Sequence, residues 1–302
     1  MNTSALIAAG ALRALQERID VTAHNLANLD TPGYKRRDAV FAELLYSSVN
    51  NQPDHAREAG RRTPPGLRVG YGVHLAATPL QLTLGPLRQT NRPLDLAIEG
   101  DGFFLVEQPV RNAAGQAVVD ESGRPVVRRA LTRVGAFHLS PLPDGSGRMA
   151  LVTPQGDFVV RQGSAPGDPD RYVVLDPLPS GRPVSERDLV IDAAGRIFVT
   201  RGGQTIDTGM RIGLWRVTTG ERLRSVGENR FAADESELVP VNPNGAGDGL
   251  RVAIRQGMLE GSNVELVKEM TDLLAAQRAY QLNVRALQMA SEMWSLANQM
   301  RR

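Results

Sequence analysis

Near the start of the chain, Ala5, Ala8, Leu12, Leu15, Ile19, Thr22, Leu26 and Leu29 form a mostly apolar row, spaced alternately three and four. That spacing is the narrow seam of a coiled coil rather than the broad apolar face of a globular helix. It predicts a helix from 4 to 29, about 39 Å long, with Thr3 or Ser4 available as cap. Thr31-Pro32-Gly33-Tyr34 then stops it. Pro32 lacks an amide donor and disfavours helix at Thr31, while Gly33 accepts φ > 0, so the four residues suit a type II turn.

The other end carries a longer pattern. Leu266, Met270, Leu273, Gln277, Tyr280, Val284, Leu287, Ser291, Trp294 and Asn298 alternate four and three, and Leu274, Leu282, Met289, Met293, Leu296 and Met300 form a second row. Ser262 to Glu265 fit a capping box. A helix from 263 to the end would be about 57 Å long. Two apolar rows require at least two neighbours. One is the N-terminal helix of the same chain, and the other is a second subunit or the protein's own body; spacing alone leaves both open. An isolated pair of such helices is marginal, because helices in proteins are stabilised mainly by burying a face.

Between the helices the period changes. Residues 47–70, with Pro53, Pro64 and Pro65, read as an extended arm. Leu94, Leu96 and Ile98 alternate with Asp95 and Ala97, EGDG follows, and Phe103 to Val106 returns, which predicts a hairpin. Residues 147–160 and 188–200 repeat that plan, and further strands are expected near 130–137, 211–217 and 230–233. The fold class expected is α+β: long N- and C-terminal helices pairing as a coiled coil, an irregular antiparallel β-rich central domain, and an extended arm. The expected division is 1–33 with 258–302 as a terminal helical assembly domain, 34–70 as turn and arm, 71–240 as the β-rich domain, and 241–257 as a return linker.

Composition narrows the function classes. The chain has 302 residues, enough for more than one structural unit. Lys+Arg 35 against Asp+Glu 33 leaves a net charge of +2, so no general nucleic-acid footprint is present. The densest basic run, Lys35-Arg36-Arg37, reads as a solvated turn beside Asp38. With no cysteine there is no disulfide, thiol catalysis or thiolate metal site. No apolar run has the length of a membrane span. Residues 5–15 imitate a signal-peptide core, but Arg13 interrupts them and no basic residue precedes them, so no cleaved signal is expected.

Catalytic chemistry finds no constellation. His24, His55, His74 and His138 share no metal-ligand spacing. Asp95, Glu99 and Asp101 imitate a glycosidase carboxylate pair, yet turn residues explain them better. GYG at 70–72 and GAGDG at 245–249 lack the strand–Gly–helix setting of a phosphate loop. The expectation is a non-enzyme without cofactor or metal.

Three motifs carry a resemblance. NLANLDTPGYKRRDAVFAELLY (25–46), NRPLDLAIEGDGFFLV (91–106) and LEGSNVELVKEMTDLLAAQRAYQLNVRALQ (259–288) resemble, in order, segments of the bacterial flagellar rod and hook protein family. FAELLY (41–46) and GLRVGYGV (66–73) are most similar to its distal-rod branch, although the loops at 108–128 and 138–185 are long. The resemblance implies a hollow helical polymer lined by paired terminal helices, with the β domain outside, transmitting torque from motor to hook. It implies export unfolded through the flagellar type III apparatus without a cleaved signal, and a place in the basal body outside the cytoplasmic membrane. Implied partners are further copies of itself, neighbouring rod and hook proteins, the export apparatus and bushing-ring proteins, with no nucleic acid and no membrane insertion. The implied assembly interface comprises Leu12, Leu15, Ile19, Asn25, Leu26, Asn28, Leu29, Pro32, Gly33 and Tyr34 near the N-terminus. Its C-terminal half comprises Leu266, Met270, Leu273, Leu274, Gln277, Arg278, Tyr280, Val284, Leu287 and Trp294. Asn25 and Asn28 are expected to bond across to a neighbour. A hook or proximal-rod paralogue stays open, as do a soluble coiled-coil adaptor and a wall-degrading enzyme.

Overall fold

A computed structural model describes residues 3–49, 67–110, 126–142, 146–164, 168, 171–177, 182–201, 204–218, 223–241 and 252–300. The chain divides into two compact units. Unit 1 is Met1–Asn28, Arg37–Gln81 and Val264–Arg302; unit 2 is Leu29–Arg36 and Leu82–Asn263. The backbone therefore passes from one to the other after Asn28, Arg36, Gln81 and Asn263.

Unit 1 contains both helices, α1 (Thr3–Ala27) and α2 (Leu266–Met300). α1 ends before the Pro-Gly turn. α2 begins at Leu266, so Glu265 rather than Ser262 sits at its N-cap, with the Glu269 amide donating to the Glu265 carbonyl at 3.0 Å. The helices pair antiparallel: Asn25, late in α1, meets Glu269, early in α2, while Arg18 lies 3.8 Å from Asp272.

The expected coiled coil is not what pairs them. In α1 the fully buried positions are Ala14, Thr22 and Asn25, whereas Leu12, Leu15, Ile19 and Leu26 remain half-buried. At 3.6 residues per turn that leucine row lies about 90° around the helix from the Ala14 row. The cause is local. Unit 1 also holds an antiparallel ribbon, Val40–Glu43 paired with Val73–Ala77. Gly72, just before its second strand, approaches α1 so closely that a Cβ there would lie 3.6 Å from the Ile7 carbonyl oxygen. A helix shared between a ribbon and α2, and oriented by the polar ties of Arg18 and Asn25, cannot aim a leucine seam at one partner as knobs-into-holes packing requires.

Of the expected arm, 50–66 lies outside the described residues. Its flanks, Tyr46–Val49 and Leu67–Gly70, pair with each other as an antiparallel ribbon, Tyr46 opposite Gly70 and Val49 opposite Leu67.

Unit 2 is β-rich, and every strand pairing among the described residues is antiparallel. Its largest sheet has ten strands around Phe103–Pro109, which pairs with Val127–Thr132, Phe158–Val159 and Leu214–Val217. The hairpins expected over 147–160 and 188–200 form, with Val152 opposite Phe158 and Ile191 opposite Ile197. The hairpin expected over 94–106 does not. Leu96–Glu99 pairs instead with Ala253–Gln256, Ile98 opposite Ile254. The reason is burial: Leu94, Asp95, Leu96, Ala97 and Ile98 are all buried, so both faces of this strand are covered. EGDG redirects the chain between sheets rather than folding it back. The core joins Leu96 and Ile98 to Phe104, Phe137, Ile197 and Ile254, with Phe104 and Phe137 edge-to-face at 5.1 Å.

Candidate functional site

Thr31–Tyr34 forms the turn expected of it. Gly33 has φ +66°, and the Tyr34 amide donates to the Thr31 carbonyl at 3.3 Å. The turn is anchored within unit 2: the Gly33 amide donates to the Glu260 carbonyl at 2.8 Å, and the Asn229 side chain donates to the Pro32 carbonyl at 3.0 Å. A Cβ on Gly33 would lie 2.9 Å from Val134. Pro32 is exposed, while Gly33 and Tyr34 are buried.

Lys35 corrects the solvated-turn reading of the basic run. Its ammonium is fully buried, 2.6 Å from Glu260 Oε1, and also donates to the Thr83 carbonyl at 2.7 Å. Glu260 is equally buried. Its Oε1 accepts from the Gly85 amide at 3.0 Å, and its Oε2 accepts from Arg133 at 3.1 Å. Arg133 in turn donates to the Gly100 carbonyl at 2.9 Å and lies over the Phe103 ring at 5.1 Å. One carboxylate thus gathers three motif segments. Burial pushes the Lys35 ammonium below its ordinary range; the Glu260 charge opposes that and the Arg133 charge adds to it. Next along the chain, the Arg36 amide donates to Asn263 Oδ1 at 2.7 Å, and Asn263 Nδ2 donates to the Thr83 carbonyl at 3.2 Å.

Asn25 does the corresponding work within unit 1. Its Nδ2 donates to the Arg37 carbonyl at 2.8 Å, its Oδ1 accepts from the Arg37 amide at 3.0 Å, and Nδ2 also reaches Glu269 at 3.2 Å. These three bonds are made inside the chain. Asn28 Nδ2 donates to the His24 carbonyl at 2.9 Å.

α2 has two unlike sides. At about 100° per residue, Leu273, Ala276, Tyr280, Val284 and Leu287 share the side on which Glu269 and Asp272 meet α1; they are buried or half-buried. Leu282, Met289, Met293, Leu296 and Met300 fall within an arc of about 60° on the opposite side, and each is between 58% and 85% exposed. Leu266, Met270, Leu274, Gln277, Arg278 and Trp294 are exposed as well, and Leu29 is half-buried.

The triad of Lys35, Arg133 and Glu260 was missed from sequence. The available signal was a lone acid in MLEGS and the first base of the run in PGYKRR, at opposite ends of the chain. Of the three carboxylates weighed for catalysis, Glu99 accepts from Arg255 at 2.8 Å, and Asp95 is buried 3.7 Å from Arg92. Among the described residues no cluster of three or more His, Asp or Glu is placed to hold a metal.

A family model for "Flagella basal body rod protein" matches residues 6–35, and one for "Flagellar basal body rod FlgEFG protein C-terminal" matches 255–300. These intervals contain Asn25, the Pro-Gly turn, Lys35, Glu260 and most of both helices. The chain is similar to the flagellar hook-basal body complex protein FlhP of Bacillus subtilis, at 31% identity over 100% of both chains. It is similar to the flagellar basal-body rod protein FlgG of Agrobacterium fabrum, at 31% identity over 97% of each chain. To the FlgG of Borreliella burgdorferi it is 30% identical over 98% of this chain and 97% of that one. The chain therefore belongs to the flagellar basal-body rod protein family.

Proposed function

We infer that this protein is a structural subunit of the bacterial flagellar basal-body rod, polymerising with copies of itself. The observation that carries the reading is the two-sided α2: one side is used inside the chain, and the opposite side presents an exposed apolar row along the helix. Such a row is costly in water and is covered in a helical polymer. End-to-end similarity to basal-body rod proteins supports the same reading. The finer assignments are our own proposals. The subunit belongs to the distal rod, on the FAELLY and GLRVGYGV segments that flank the arm. It leaves the cytoplasm through the flagellar export apparatus. It meets neighbouring rod and hook proteins at its ends and bushing-ring proteins at its side. As a shaft it carries torque and needs no catalytic group.

The test is polymerisation of the purified full chain, followed by sedimentation and electron microscopy. Leu282→Asp or Leu296→Asp on the open row should leave the circular dichroism spectrum unchanged and abolish rods. Rods formed normally by both variants would remove the open row from the assembly.

A further inference from the structure

The open row of α2 is chemically unusual. Three of its five members, Met289, Met293 and Met300, are thioethers, with exposures of 58%, 66% and 85%. Met149, Met210 and Met258 of unit 2 are each partly buried, and Met210 packs against the core. We propose that Met289, Met293 and Met300 form an oxidation-sensitive switch on assembly, in which their conversion to sulfoxides blocks addition of the subunit to a second copy of the chain. This rests on the rod-subunit reading above.

The chemistry needs a peroxide as oxidant. The thioether sulfur attacks one peroxide oxygen, an S–O bond forms as the O–O bond breaks, and the sulfur is oxidised by two electrons. The other oxygen takes up the protons and leaves as water. Each side chain becomes polar while keeping its length. Three polar sulfoxides on one narrow arc would each carry an oxygen into a contact that otherwise buries only carbon and sulfur, without a matched donor. The α2 residues turned to α1, Leu273, Ala276, Tyr280, Val284 and Leu287, include no methionine, so the intrachain pairing is untouched. Once a second copy covers the row, the same sulfurs are shielded, so free subunits are sensitive and finished polymer is resistant.

The experiment treats the full-length chain with hydrogen peroxide, maps oxygen addition by peptide mass spectrometry, and measures polymer by sedimentation. We expect the three methionines to oxidise ahead of Met149 and Met210. The concentration needed for polymer should rise by about tenfold or more, the effect of losing roughly one buried apolar side chain per contact. Methionine sulfoxide reductases should restore it, and the combined variant Met289→Leu, Met293→Leu, Met300→Leu should polymerise equally with and without peroxide. Normal polymerisation of the oxidised wild type, or equal peroxide sensitivity of the leucine variant, would overturn the switch while leaving the rod reading intact. Failure of the untreated wild type to polymerise would instead overturn the rod reading and the switch with it. If the leucine variant does not polymerise untreated, the reductase arm decides: recovery supports the switch and no recovery refutes it.

Discussion

Lys35 and Glu260 lie 225 positions apart in sequence, yet their charged atoms are 2.6 Å apart and neither side chain reaches solvent. A buried pair is weak evidence for net stability, because desolvation offsets the attraction, but removing one partner strands a charge. Glu260 also holds Arg133, so its loss strands two. Glu260→Ala should destabilise unit 2 by about 3–5 kcal/mol, measured by denaturant unfolding. A Lys35→Met chain should lose less than Glu260→Ala, because Arg133 still neutralises the carboxylate. The reverse order would refute this account of the triad.

Asn25 supplies both a donor and an acceptor to the Arg37 backbone. Asn25→Leu removes both and leaves two backbone groups without their protein partner, at a cost of about 1–3 kcal/mol. Hydrogen exchange should show faster exchange of the Arg37 amide, with the amides of unit 2 unchanged.

Two glycines are required for different reasons. Gly33→Ala forces an L side chain to φ +66° against Val134, at about 1–2 kcal/mol for the conformation alone. At Gly135 a Cβ would collide with the Leu96 carbonyl oxygen, where no side-chain rotation gives relief. Gly135→Ala should cost more than about 4 kcal/mol and lower the soluble yield, whereas Gly33→Ala should fold. Thermal melts of both distinguish the two mechanisms.

Tyr172 offers a pH test. Burial, with the neighbouring Glu107 charge and hydrogen bond, pushes its phenol up from 10.0 to about 12. Glu107 is itself fully buried and paired with Arg129 at 2.9 Å. A folded value above the unfolded one means the folded state holds the proton more tightly. That stabilisation is complete below pH 10 and is lost as pH rises through about 12. In an ultraviolet titration of the folded protein one tyrosine should ionise late, and Tyr172→Phe should abolish that late step while flattening the fall in stability over the same range.

Much was legible in the chain itself. The spacing of apolar residues gave both terminal helices, because a helix of that length must place its apolar groups at the helical period wherever it packs. Pro32 and Gly33 dictated the turn through φ restrictions local to a few residues. The hairpins at 149–159 and 189–201 were readable because short turns pair neighbouring strands. Three motifs at the two ends and near the first strands pointed to the family before any geometry was known.

What the tertiary structure decided is whatever depends on residues far apart in sequence. Leu94 to Ile98 alternates as if half-exposed, but Asp95 and Ala97 are buried too, so the strand pairs with Ala253–Gln256 rather than folding back. The leucine row of α1 fits a coiled coil, but the ribbon of Val40–Glu43 and Val73–Ala77 also packs on that helix, and it is Ala14 and Asn25 that are buried. Lys35 reads as one of three solvated charges until Glu260 is brought against it. A local pattern fixes which face a segment can offer. Only the folded chain fixes which partner takes that face, because the partner is supplied by long-range contacts that no window of sequence contains.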